Sequence, residues 1–162
     1  MQEEKYFVDF DGVIFDTEKR IQKLKLEYLN LSWNDLFEQI NWYQFINESN
    51  VINGALDYLL AAQKLKKTIY ILTKAHTLSE MKAKVDVLRE RNLYFPVLLV
   101  PPHVKKSEIY VPKNGEILID DSQKNLIAWK KDGGTGIYFN EDLSVKNSEF
   151  ETVNSLKRIL RG

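Results

Sequence analysis

Five short apolar runs punctuate the chain: KYFVDF (5–10), TIYILT (68–73), PVLLV (96–100), GEILID (115–120) and GGTGIYF (133–139). They are apolar along their whole length, so each reads as a strand buried on both faces. Between them, apolar residues recur at intervals of three and four. Ile21, Leu24, Tyr28 and Leu31 form one such series, and Leu56, Leu59 and Leu60 behind Asn53-Gly54 form another. Leu78, Met81, Val85 and Leu88 follow a Thr77/Glu80 capping box, and Leu126 and Trp129 follow the fourth run. Val153, Leu156 and Ile159 continue helical spacing to the end, with Ser148 and Glu151 as a second capping box. Strands alternating with helices predict an α/β fold, a mainly parallel sheet between two helical layers. Ligands of such sheets bind beyond the carboxyl ends of the strands.

What lies at those ends is unusual. The first strand delivers Asp9 and Asp11, the second ends in Thr73, the loop after the third carries Lys105 and Lys106, and the fourth delivers Asp120 and Asp121. Taken singly, each has a plain explanation: a turn, a good strand former, a solvated lysine pair, a helix cap. Together, four strands aim two acidic pairs, a hydroxyl and an ammonium at one edge. Carboxylate oxygens suit a hard divalent ion such as Mg²⁺. A hydroxyl and an ammonium suit phosphoryl oxygens, and a remaining carboxylate can attack phosphorus. Gly12 lets the chain turn closely around such an ion.

Composition narrows the classes further. A chain of 162 residues is one domain with room for a small insertion. Lys plus Arg and Asp plus Glu balance at 23 each, so no net field draws it to a nucleic acid polymer. The absence of cysteine excludes disulfides, thiolate zinc sites and a cysteine nucleophile, and two histidines are few for an imidazole-rich dimetal centre. The glycines form neither a Walker loop nor GxGxxG. With no signal-like start and no long apolar run, a soluble cytoplasmic protein without membrane association is expected. Oligomeric state is not legible.

YFVDFDGVIFDT, ILT, KKSE and ILIDDS, in that order, resemble the four motifs of the haloacid dehalogenase superfamily of phosphohydrolases. The resemblance runs from about Tyr6 to Phe139, excepting an insertion. It implies a Rossmann-like three-layer sandwich with strand order 5-4-1-2-3. The core would comprise 1–16 and 51–162, with 17–50 a small helical cap. It also implies Mg²⁺-dependent phosphoryl transfer to aspartate: Asp9 as nucleophile and metal ligand, Asp11 giving its backbone carbonyl to the metal while its side chain protonates the leaving oxygen and then activates water. Thr73 would bind phosphoryl oxygens, with the neighbouring Lys74 either contacting a substrate phosphate or solvated, and Lys106 would neutralise charge, with Lys105 the alternative because spacing does not separate adjacent lysines. Asp121 would ligate the metal directly and Asp120 assist, with Ser122 and Asn125 in support.

The stretch INGALDYLLAAQKLKKTIYILTKAH, with PVLLVPPHVKKSEI and GEILIDDS, is further similar to the small deoxyribonucleotidases of that superfamily, which act on nucleoside monophosphates. Lys74 departs from them, since a small residue is expected after Thr73. Phe15, Trp33, Trp42 and Tyr43 could stack on a base or glue the small helices to the core. The expected activity is therefore hydrolysis of a small phosphomonoester, a nucleoside monophosphate among the candidates, through an aspartyl-phosphate. The alternatives are a phosphomutase or phosphotransferase acting on a sugar phosphate, and a non-catalytic binding module on the same fold. A receiver domain is disfavoured, because its acceptor aspartate belongs where Val100 leads into Pro101-Pro102.

Overall fold

The computed structural model describes residues 3–147 and 149–162. Six parallel strands, β1 (Tyr6–Val8), β2 (Ile69–Lys74), β3 (Val97–Val100), β4 (Ile117–Asp120), β5 (Thr135–Phe139) and β6 (Glu151–Val153), lie in the order β3-β2-β1-β4-β5-β6. The five expected strands keep their expected neighbours, read from the other edge. The central strand, β1, is only three residues long. Tyr6 stands beside Ile69 on one flank and Ile117 on the other, so the tips of β1, β2 and β4 open onto one edge.

Alternate residues feed two apolar layers. Tyr6, Val8, Ile69, Ile71, Ile117 and Ile119 pack into one, and Phe7, Leu72, Leu118, Leu126 and Trp129 into the other. Full burial of each large apolar side chain stabilises by about 1.5–3 kcal/mol, which explains why strands this short are held firmly. The aromatic stack of Phe7 on Tyr70, centroids 5.0 Å apart, ties β1 to β2.

Two stretches differ from expectation. The tail does not form a helix from residue 151: Glu151–Val153 pair with Ile137–Phe139 as β6, and only a 3₁₀ turn, Leu156–Leu160, follows. Sheet pairing outweighs the helical spacing, and both Leu156 and Ile159 are buried either way. Ser148 of the expected capping box lies outside the described residues. In α5 (Leu78–Glu90), Thr77 caps Glu80 N–H as expected, but Leu78 is 82% exposed. The buried stripe runs instead through Glu80, Ala83, Lys84, Val87 and Leu88.

Helices α1 (Thr17–Glu27), α2 (Trp33–Gln39) and α3 (Trp42–Asn47) stand between β1 and α4 (Ala55–Lys64). Their stem is narrow. Phe15 and Val51 form an antiparallel bridge, and Asp16 accepts from both Asn50 nitrogens at 2.8 and 3.1 Å. Short helices, α6 (Lys106–Ile109) and α7 (Gln123–Lys131), complete the crossovers that follow β3 and β4. Among the described residues no helix is long and apolar enough to cross a membrane.

Candidate active site

β1 ends at Val8, and the chain then turns tightly: Gly12 N–H donates to Phe15 O at 2.8 Å, and Ile14 N–H to Phe10 O at 3.0 Å. Strand alternation therefore does not carry from Asp9 to Asp11, and the two carboxylates acquire separate partners. Asp9 accepts from the Lys106 ammonium at 2.9 Å. Asp11 accepts from Thr17 Oγ1 and from Lys84 Nζ, both at 2.6 Å, one on each oxygen.

Lys106, the first residue of α6, is buried and spans the gap between two strand tips, reaching Asp120 at 2.7 Å as well as Asp9. Burial works against its charge, but Asp120 and Asp9 more than offset that and hold its proton above the ordinary lysine range. Lys105 is exposed at the helix N-cap and makes neither contact. The adjacent lysines that spacing could not separate are thus separated by geometry.

Asp120 is fully buried and heavily bonded: besides Lys106, its oxygens accept from Ser122 N–H at 2.9 Å and Asn125 Nδ2 at 3.0 Å. Ser122 also caps α7. Asp121 is different. Among the described residues it forms no ion pair, yet its carboxylate oxygen lies with those of Asp9 and Asp120 in a cluster spanning no more than 4.8 Å. Burial, then the charges of Asp9 and Asp120, push the Asp121 carboxyl up to about 10. Burial, then Asp120, push Asp9 up to about 7, against the pull of Lys106.

This donor set fits Mg²⁺. It offers only hard carboxylate oxygens, without sulfur or imidazole, and it carries three carboxylates against one ammonium. A small cation relieves the repulsion that otherwise forces protons onto the cluster. The side chain of Asp11 does not belong to this cluster.

Thr73 is fully buried at the tip of β2, its hydroxyl accepting from Lys84 at 3.0 Å. Lys74 follows, half-buried, and its side chain lines a cavity of about 370 Å³ between the inserted helices and the sheet edge, together with Asp11, Glu18, Trp33 and His76. The aromatics sort themselves by burial. Phe15 is fully buried and Trp42 is 2% exposed with its indole N–H on Phe37 O, so both are core. Tyr43 bonds Glu90 outside the cavity, and only Trp33, of those four, faces it.

Two contributors escaped the sequence reading. Thr17 closes the first motif but was given no role of its own. Lys84 was not singled out, although its place four residues after Glu80, on the face shared with Val87 and Leu88, was a signal: a charge pair within an apolar stripe.

The fold has close structural counterparts. A hydrolase from Pseudomonas syringae superposes with TM-score 0.64 at 13% identity, covering 96% of this chain and 95% of that one. A haloacid dehalogenase superfamily hydrolase from Ehrlichia chaffeensis gives 0.62 at 12%, covering 98% and 96%. The D,D-heptose 1,7-bisphosphate phosphatase of B. bronchiseptica, solved with magnesium and phosphate, gives 0.61 at 12%, covering 96% and 94%. The chain thus has the fold of the haloacid dehalogenase hydrolases, with the parallel Rossmann-like sheet expected for it. Its sequence matches no protein-family model and no curated protein.

Proposed function

We propose that this protein is a Mg²⁺-dependent phosphatase of small phosphomonoesters, working through an aspartyl-phosphate on Asp9. The observation that carries the reading is the division of labour between the two aspartates of one loop: Asp9 sits among the carboxylate cluster on Lys106, while Asp11 stands apart, lining the cavity. One carboxylate is thereby suited to attack and the other to proton transfer. The phosphatase and hydrolase relatives of the fold support the same class.

In this reading Asp9 Oδ forms a bond to phosphorus as the ester P–O bond breaks. The departing electron pair remains on the ester oxygen, which takes a proton from the Asp11 carboxyl. Water then attacks the acyl phosphate and gives its proton to Asp11, which regenerates Asp9 and releases phosphate. Lys106 and the Thr73 hydroxyl meet the charge that accumulates on the phosphoryl oxygens. Asp9, Asp120 and Asp121 would hold magnesium, with the Asp11 backbone carbonyl as a further ligand, and the ion would supply charge neutralisation at the phosphoryl group. Residues 17–50 act as a small lid over the cavity, and Lys74 and Trp33 present an ammonium and a ring to the leaving group. A nucleoside monophosphate is a fitting substrate, since its base offers Trp33 a flat partner.

The test is phosphate release from para-nitrophenyl phosphate and from a panel of nucleoside monophosphates and sugar phosphates. Turnover should need Mg²⁺, stop on chelation and vanish in Asp9→Asn with the fold retained. Mg²⁺-independent turnover, or none with any ester, defeats the reading.

A further inference from the structure

Lys84 is a fully buried charge, with no exposed side-chain surface, and the mechanism above leaves it unused. Its ammonium donates to Asp11 Oδ2 at 2.6 Å, Lys74 O at 2.6 Å and Thr73 Oγ1 at 3.0 Å, and pairs with Glu80 Oε2 at 2.8 Å. An ion pair with Glu80 alone would account for a structural lysine. Reaching two further side chains, from β2 and from the loop after β1, is a different arrangement.

We infer that Lys84 is a positioning residue of the reaction, fixing the Asp11 carboxyl for proton transfer to the leaving oxygen and turning the Thr73 hydroxyl toward the phosphoryl group. This rests on the phosphatase reading. Asp11 lies in a turn, outside the sheet ladder, so its side chain owes its orientation to Thr17 on Oδ1 and Lys84 on Oδ2. Two hydrogen bonds on opposite oxygens fix the plane of the carboxyl, and the proton bound for the leaving oxygen is carried on Oδ1, where the Thr17 hydroxyl rotates to accept instead of donate. Thr73 Oγ1 accepts a hydrogen bond from Lys84 and must therefore aim its own proton elsewhere. Its nearest internal acceptor, Lys74 O, is distant at 3.3 Å, which leaves that proton available to a phosphoryl oxygen. Glu80 anchors the ammonium from beneath and is itself held by the His76 N–H at 2.8 Å.

The test uses a series of aryl phosphates whose leaving phenols differ in acidity. A positioned acid matters for phenyl phosphate and hardly at all for 2,4-dinitrophenyl phosphate, whose phenolate leaves without a proton. Lys84→Met should slow kcat for phenyl phosphate at least about tenfold while changing that of the dinitrophenyl ester less than about threefold, steepening the leaving-group dependence. A general structural defect would lower both alike, and equal losses or an unchanged slope overturn the inference. If Lys84→Met does not fold, Glu80→Gln/Lys84→Met removes the two charges together and is read the same way. If neither folds, the nitrogen-15 ammonium resonance of Lys84 in the intact protein must shift on Asp11→Asn, and an unmoved signal overturns the assignment. Wild-type protein that hydrolyses none of these esters defeats the phosphatase reading instead.

Discussion

Gly12 and Asp121 compete for one corner of the site: a Cβ added to Gly12 would lie 2.1 Å from Asp121 Oδ2. The glycine also holds φ at +79°, where side chains are strained. Gly12→Ala must therefore displace the Asp121 carboxylate from the cluster it shares with Asp9 and Asp120. The positive φ costs roughly 1 kcal/mol of stability, and the displaced ligand weakens Mg²⁺ binding by about tenfold or more, within the range seen when metal-site geometry is disturbed. Calorimetric titration with Mg²⁺ checks this. Unaltered affinity in the variant would mean that Asp121 is no ligand.

Metal-free protein should lose stability as pH rises. Asp9 and Asp121 carry folded-state proton affinities raised from the ordinary 3.8 to about 7 and about 10. The folded state therefore retains protons that the unfolded chain releases, so the stabilising difference is complete below about pH 4 and is lost progressively through 7 for Asp9 and 10 for Asp121. In the proposed reading Mg²⁺ takes the place of those protons. Melting temperature should fall between about pH 5 and 9 in chelator and flatten with Mg²⁺, with protons released on binding. A metal-free melting temperature that climbs with pH contradicts the cluster's charge balance.

The two neighbouring lysines should behave as opposites. Lys106→Met leaves Asp9 and Asp120 buried without their shared ammonium, a loss of the kind that costs about 3–5 kcal/mol, and should abolish phosphate release. Lys105→Met should stay within about 0.5 kcal/mol of the parent, as exposed substitutions do, and keep its activity. Denaturant unfolding with Mg²⁺ present and an aryl phosphate assay separate the two.

The sheet was legible because its signal is local: apolar runs, read strand by strand, gave five of six strands and their neighbours. β6 was not, because Glu151–Val153 is too short and mixed to resemble a buried strand, and its pairing with Ile137–Phe139 is a tertiary fact. The same division holds at the site. Asp9, Thr73, Lys106 and the Asp120-Asp121 pair stood out as candidates because each ends or follows a strand, where chain direction alone fixes which edge it meets. Lys84 reaches that edge sideways, from the second turn of α5, along a stem whose direction depends on helix rotation. That rotation was misjudged when Leu78 was counted into the buried stripe, and with it went the buried charge pair. Lys105 and Lys106 differ only in which one opens α6, a choice made by the packing of that short helix.

Trp33 and Trp42, nine residues apart in the inserted helices, should separate substrate contact from folding. Trp42 is 2% exposed, donates its indole N–H to Phe37 O at 2.9 Å and packs edge-on against Phe45. Removing it empties the centre of the insertion, and Trp42→Ala should cost about 3–5 kcal/mol, as large aromatic deletions do. Trp33 is 41% exposed, stacks on Phe37 at 5.7 Å, has the Lys25 ammonium over its ring at 5.5 Å and lines the cavity together with Asp11. Trp33→Ala should leave unfolding within about 1 kcal/mol of the parent. A ring that touches the leaving group in both ground and transition states contributes uniform binding, so the variant should raise KM severalfold with kcat little changed. The rise should be larger for a nucleoside monophosphate than for a small alkyl phosphate, which has nothing flat to stack. Equal KM values for both esters before and after the substitution would assign Trp33 to the surface of the inserted helices and remove it from substrate recognition.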